Sequence, residues 1–248
     1  MQSFTLYSPT EVVFGRNTEK KTAQMVKKYG GSRVLVVYGG GSVVRSGLLN
    51  SVESSLADAG IMYESIGGVQ PNPLLSLARK AIEKAISFQA DFILAVGGGS
   101  VIDTAKGIAH GVANPGTDIW SYWLGEQEVK KSLPVGVILT ISAAGSETSD
   151  SAVLTDDATM SKRGMTTDFN RPRFAIMNPE LTFTLPPYQV ACGIVDIMMH
   201  TLDRYFTLTE GNELTDEFAE ALLRVTIKNG TLAMKDSHDY EAMSEIMW

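Results

Sequence analysis

Phe92-Ile-Leu-Ala-Val-Gly-Gly-Gly-Ser-Val101 decides how the rest of the chain is read: an apolar run of strand length breaks into three glycines, a serine and a valine. The same pentapeptide, Gly-Gly-Gly-Ser-Val, follows a second apolar run, Arg33-Val-Leu-Val-Val-Tyr38, at Gly39, Gly40, Gly41, Ser42 and Val43. A triglycine leaving a strand lets backbone approach a ligand more closely than side chains allow. The amides of the helix start that follows can then face an anion. Two such turns point to a phosphate-rich nucleotide.

Outward from the two turns, strand and helix patterns alternate. Residues 48–59 carry helical periodicity ending at Gly60, and residues 61–66 read as a strand before the break Gln70-Pro-Asn-Pro73. A helix over 74–87, the strand at 92–96, a helix over 101–112 and a strand over 135–141 follow. Such alternation predicts a parallel sheet with helices on both faces, and ligands in such sheets sit at the carboxyl ends of the strands. Ahead of it, residues 4–7 and 12–14 flank Ser-Pro-Thr and read as a short hairpin that offers an edge strand.

The pattern changes after about Leu185. Pro186-Pro187 is followed by apolar residues at helical spacing through Tyr205, and 215–229 and 240–248 also look helical. The fold class expected is therefore α/β, a nucleotide-binding parallel-sheet domain over 1–180 followed by an all-helical domain over 181–248. The chain stops in Met243-Ser-Glu-Ile-Met-Trp248 without a capping residue or polar tail, so the helical domain is expected to be incomplete and the chain a shortened version of a longer one.

Composition narrows the function. At 248 residues, 44% hydrophobic and 20% charged, the chain suits one large or two ordinary soluble domains. A net charge of −7 supplies no basic field for nucleic acid. Residues 1–15 lack the charged-then-apolar layout of a secretory signal, and no apolar run approaches the roughly 20 residues of a membrane span. The single Cys192 forms no intrachain disulfide and reads as a small buried hydrophobe. A cytoplasmic protein without membrane or nucleic-acid partners is expected.

Several residues carry chemistry. Neither glycine turn follows Gly-x-Gly-x-x-Gly or ends in Gly-Lys-Ser/Thr, which disfavours an ordinary Rossmann dehydrogenase or a P-loop NTPase. Gly97, Gly98, Gly99 and Ser100 would surround a pyrophosphate; beyond them Asp103 can equally cap the helix start, and Lys106 can equally be solvated. Thr140-Ile-Ser142-Ala-Ala-Gly145-Ser146-Glu147 brings hydroxyls to the same predicted edge, and Lys162 and Arg163 follow in a charged stretch. Asp196 and His200, four apart on a helix, share a face and offer one oxygen and one nitrogen donor, a set suited to Fe²⁺ or Zn²⁺. An Asp–His ion pair explains that spacing as well. His110 reads as a packing or partly exposed residue, and His238 lies in the polar stretch Lys235-Asp-Ser-His-Asp239.

Taken together, Tyr38-Gly-Gly-Gly-Ser-Val43, Gln70-Pro-Asn-Pro73, Gly97-Gly-Gly-Ser-Val-Ile-Asp103 with Lys106, residues 140–147, Asn178-Pro-Glu-Leu181 and Gly193-Ile-Val-Asp-Ile-Met-Met-His200 resemble the iron-containing, group III alcohol dehydrogenases, in their butanol dehydrogenase and aldehyde reductase branch. The resemblance implies a metal-dependent oxidoreductase that passes hydride between NAD(P) and a primary alcohol or aldehyde, and a homodimer. It implies that Gly97 to Ser100 hold the pyrophosphate, that Asp103 orders that turn, that Thr140, Ser142 and Lys162 line the cofactor, and that Asn72 lies near the adenosine half. Asp196 and His200 become the first two metal ligands, with two later histidines expected beyond Trp248. Ala144 stands where many members have threonine, and Asp203 where glutamate is common.

Relatives preferring NAD tend to carry an aspartate near Gly39 or Gly40. This chain has none, while Ser42 and Arg45 offer a donor and a positive charge, which favours NADP. The alternative reading is a redox-inactive nucleotide-binding module, and relatives that act on phosphorylated polyols or cyclise their substrates use other ligand patterns.

Overall fold

The computed structural model describes residues 3–248. It forms β1 (Glu11–Phe14), α1 (Thr22–Lys28), β2 (Arg33–Gly39), α2 (Ser42–Arg45), α3 (Leu48–Asp58), β3 (Met62–Val69), α4 (Leu75–Phe88), β4 (Phe92–Gly97) and α5 (Gly99–Ala113). Then come α6 (Trp120–Trp123), β5 (Val135–Leu139), β6 (Ser151–Asp156), β7 (Ser161–Thr166), β8 (Phe174–Met177), α7 (Pro187–Tyr205), α8 (Glu213–Lys235) and α9 (Tyr240–Met247).

Six strands form one all-parallel sheet in the order β1-β8-β5-β4-β2-β3. The central strands β4 and β5 are buried along their whole length, as expected of continuous apolar runs covered by helices on both faces. The sequence places four strands of this sheet, β2 to β5, and gives no sign of β8, the strand between β1 and β5. The strand order has one decisive feature: from β2 the chain moves outward to β3 and then returns to β4 on the other side of β2. The chain thus leaves the carboxyl ends of the paired strands β2 and β4 in opposite directions, the position at which open α/β sheets bind ligands.

Two elements depart from expectation. The amino-terminal hairpin does not form: residues 3–10 have no regular structure, and β1 instead pairs in parallel with β8, Val12 opposite Ala175 and Val13 opposite Ile176. The fully buried β8 offers a better ladder than residues 4–7 could, and Thr10 Oγ1 and Glu11 N start the pairing on the Pro172 and Arg173 carbonyls. The second departure is an antiparallel hairpin, β6–β7, closed by a turn in which Asp156 accepts from Ala158 N and Thr159 Oγ1. Its second strand, Ser-Lys-Arg-Gly-Met-Thr, is too polar to show a strand period.

Contacts divide the chain into two compact units. One comprises residues 9–140 and 146–178; the other comprises 179–248, the short segment 141–145 and residues 3–8. In the helical unit, Val190 and Ile194 of α7 pack with Ala233 of α8 and with Ala242, Met243 and Ile246 of α9. Gly230 lets α8 approach, since a Cβ there would lie 2.9 Å from Ile194. Cys192 is on the opposite face of α7 with Val195 and Met199, and is exposed rather than buried. No described helix is long and apolar enough to cross a membrane.

Candidate functional site

The two glycine turns stand side by side. Tyr38 pairs with Val96, so Gly39 and Gly97 leave adjacent strands at the divergence point. The glycines have separate physical reasons. A Cβ on Gly97 would lie 2.6 Å from Val101, a position closed by packing, whereas one on Gly39 would make ordinary contact with Val69 O at 3.4 Å and Val101 at 3.7 Å. Gly41 has φ +113°, a conformation that favours glycine. Gly40 and Gly99 have neither reason, because a Cβ on either would meet nothing within 4 Å and neither has a positive φ. Their missing side chains leave open space at the strand ends, where a ligand can approach the backbone.

The helix after the second turn begins two residues earlier than its apolar periodicity indicates, at Gly99, so Gly99 and Ser100 lie in its first turn. Its N-cap is Gly98, which has no side chain to satisfy the first amides. Fifteen residues of helix stand behind that turn, giving it the partial positive charge that holds a phosphate group. At the end of the next strand, Thr140 N donates to Gly97 O at 3.2 Å, which ties the third predicted segment to the second turn.

On the other side, beyond β3, Asn72 adopts φ +57° in the loop before α4, and Lys162 Nζ on β7 donates to Asn72 Oδ1 at 2.9 Å. Residues 90 positions apart in sequence are thereby joined. Gly39, Gly40, Gly41, Ser42, Asn72, Gly97, Gly98, Gly99, Ser100, Thr140 and Lys162 all lie along one edge of the sheet unit. Arg45 reaches back over the first turn: its Nη1 is 3.3 Å from where a Gly41 Cβ would be.

Ser142 belongs to the helical unit. Its Oγ is buried without a hydrogen-bond partner, an unsatisfied group of the kind that a ligand can complete. In the same unit its carbonyl oxygen lies against Gly193, where a Cβ would collide with it.

Asp103 does not cap the helix. Its Oδ1 accepts from Ser146 Oγ at 2.6 Å and its Oδ2 from Val153 N at 3.0 Å, and burial raises its pKa, with Lys106 opposing. Lys106 is not solvated but fully buried, donating to Ser146 O, Ser146 Oγ, Ser149 O and Ser151 O at 2.7–3.1 Å. His110, also fully buried, hydrogen-bonds Asn170 Oδ1 at 2.8 Å. Sequence reasoning left Lys106 and His110 without a role. Their signal was present, since Asp103, Lys106 and His110 recur at the three- and four-residue spacing of a single helix face.

In the helical unit, His200 Nε2 and Asp196 Oδ1 lie 3.8 Å apart on α7, each side chain 46% exposed. That separation lets both donors reach one ion, and their chemistry fits Fe²⁺ or Zn²⁺. Among the described residues no group of three or more His, Cys, Asp and Glu side chains could hold a metal. Asp196 and His200 therefore fit part of a metal site.

A parallel sheet with two glycine turns at its divergence point, flanked by hydroxyls and a lysine, defines a dinucleotide-binding fold. The family model described as iron-containing alcohol dehydrogenase matches residues 9–179, and the chain belongs to that family. It is 42% identical over its whole length to NADH-dependent butanol dehydrogenase A of Clostridium acetobutylicum, covering 63% of that protein. It is 35% identical to the NADPH-dependent aldehyde reductase YqhD of Escherichia coli, covering 64% of it. The crystal structure of NADH-dependent butanol dehydrogenase A from Thermotoga maritima superposes on the whole chain with a TM-score of 0.97 at 38% identity, the chain covering 62% of that structure. The chain thus spans just under two thirds of the length of these relatives, and its helical domain is incomplete beside theirs.

Proposed function

We propose that the chain binds NADP(H) along the carboxyl edge of its sheet and that the whole protein transfers hydride between that cofactor and a primary alcohol or aldehyde. The observation that carries the reading is the open space at Gly40 and Gly99, two glycines on adjacent strand ends that no packing or backbone conformation requires. The amides of Gly99 and Ser100 take the pyrophosphate, Thr140 offers a hydroxyl, and Asn72 and Lys162 line the adenosine half.

The relatives named above include NADH- and NADPH-dependent enzymes, so cofactor choice turns on local residues. No acid occupies residues 39–42, and the Arg45 guanidinium lies over Gly41, an arrangement suited to the 2′-phosphate of NADP. Asp196 and His200 would hold a divalent metal together with ligands from outside these residues. When bound, such an ion polarises a carbonyl or stabilises an alkoxide. The names of the relatives place butanol and other simple aldehydes or alcohols first among substrates to test.

The second reading is a nucleotide-binding module without redox activity. Titrating NADPH and NADH by nicotinamide fluorescence, then following aldehyde-dependent loss of nicotinamide absorbance with Fe²⁺ or Zn²⁺, separates the two. NADPH binding tighter than NADH binding, with turnover, is the expected result. Binding without turnover refutes the enzymatic reading of this chain, and no binding of either dinucleotide refutes both.

A further inference from the structure

The hairpin β6–β7 lies between two parts of the candidate cofactor edge and is fastened at both sides. Toward α4 it is held by Thr155 N donating to Pro73 O at 2.8 Å, by Asp157 Oδ1 accepting from Ser76 N at 3.1 Å, and by the Lys162–Asn72 hydrogen bond. Toward α5 the fastening is made by buried polar side chains. The three hydrogens of the Lys106 ammonium are shared among three carbonyl oxygens and the Ser146 hydroxyl, which in turn donates a hydrogen bond to Asp103 Oδ1. Each group in the chain Lys106 → Ser146 → Asp103 has a donor or acceptor role that the next one completes. Asp103 then grips Val153 N directly.

A fully buried ammonium is an expensive way to join a helix to a loop. Burial pulls it down to about 8, with Arg171 adding to that and Asp103, Glu147 and Asp150 opposing it. What it holds are backbone carbonyls of residues 146, 149 and 151, the segment that leads into β6. An apolar side chain of equal length would take the ammonium donor from all three, leaving Ser146 O its bond from Ser149 N at 3.4 Å.

We propose that Lys106 is a positioning residue for cofactor binding: its ammonium fastens the β6–β7 hairpin to α5 and so holds Lys162 against Asn72, an inference that rests on the sheet edge being the cofactor site. Lys106 touches no part of the cofactor itself. It couples the helix proposed to receive the pyrophosphate to β6, the strand of the hairpin that pairs with the one carrying Lys162.

A double-mutant cycle on NADPH binding tests this, with dissociation constants read by nicotinamide fluorescence for wild type, Lys106→Met, Lys162→Ala and the double variant. Lys162→Ala is expected to weaken wild-type binding by about tenfold, the loss of roughly one charge-assisted hydrogen bond. In the Lys106→Met background it is expected to cost less than about twofold, since Lys162 is no longer held in place. The same factor in both backgrounds overturns the proposal. Amide hydrogen exchange supplies a readout free of cofactor: Lys106→Met should speed exchange in residues 151–166 while β4 and β5 keep their protection.

Unchanged exchange in the hairpin also overturns it. Should Lys106→Met fail to fold, Ser146→Ala removes the bridging hydroxyl while leaving the ammonium its carbonyls. It is expected to speed hairpin exchange and to shrink the Lys162→Ala factor, and unaltered values for both count against the proposal. Wild-type protein that binds neither NADPH nor NADH refutes the proposed function itself, a result distinct from binding that loses the same factor in both backgrounds.

Discussion

Replacing His110 with glutamine should change stability in a narrow acid window. Asn170 Nδ2 donates to Asp150 O and Met165 O, which leaves Asn170 Oδ1 as the acceptor and gives His110 Nε2 the hydrogen. His110 Nδ1 is then the unprotonated nitrogen, buried without a partner. A second proton would place a charge on a ring that is 0% exposed, so burial pulls its pKa from 6.5 to about 4. In the unfolded chain the imidazole takes its proton near 6.5, whereas in the folded chain it does so only near 4. Between those values the unfolded state binds more protons. Stability from the neutral ring is therefore complete above pH 6.5 and is lost as pH falls toward 4. At about 1.4 kcal/mol per tenfold difference in proton affinity, the loss comes to about 3 kcal/mol. Glutamine can keep a donor to Asn170 but takes up no proton. Urea denaturation of both proteins at several pH values gives the difference curve, which cancels the buried carboxylates Asp103 and Glu147. Wild-type stability should fall below that of His110→Gln by up to about 3 kcal/mol across the window, relative to their difference at neutral pH. Parallel curves from pH 7 to 4 would refute the assignment of a buried neutral ring.

Gly99→Ala should raise stability by about 0.5–1 kcal/mol, since alanine is the better helix former, and at the same time weaken NADPH binding; a variant that gains stability and binds as before argues against a ligand at that turn. Gly193→Ala forces a methyl into the Ser142 carbonyl and should cost about 1–3 kcal/mol, so chemical denaturation within about 0.5 kcal/mol of wild type would count against that close approach. Zn²⁺ titrated calorimetrically into Asp196→Ala should release less heat and bind more weakly than into wild type, whereas equal isotherms would show that the carboxylate is not a ligand.

Much of the sheet could be read from sequence because its central strands are short apolar runs bounded by glycine, and both turns fell at strand ends for that reason. The hairpin β6–β7 escaped because β7 is mostly exposed and polar, and its position is set by Asp103, Lys106 and Asn170 from elsewhere in the chain. The expected amino-terminal hairpin failed for the opposite reason: the local alternation was real, but a fully buried strand 160 residues away made the better partner for Val12 and Val13. At the candidate site, residue types were legible from the glycine motifs while pairings were not. Nothing local in sequence relates Lys162 to Asn72, and a lysine in a helix gives no sign that it will be buried among carbonyls.

Val101, the last residue of the second pentapeptide, rests on Gly97 and also on Gly39 of the first. The two turns share one side chain as their floor, so neither can be rebuilt alone. Redesign of cofactor preference has unequal routes as a result. A side chain introduced at Gly39 would start in contact with Val101 and the Val69 carbonyl, whereas Gly40 opens onto free space. Under the proposed cofactor assignment, Gly40 is the position of the first turn at which an acid facing the ribose would meet no neighbour, Val101 included.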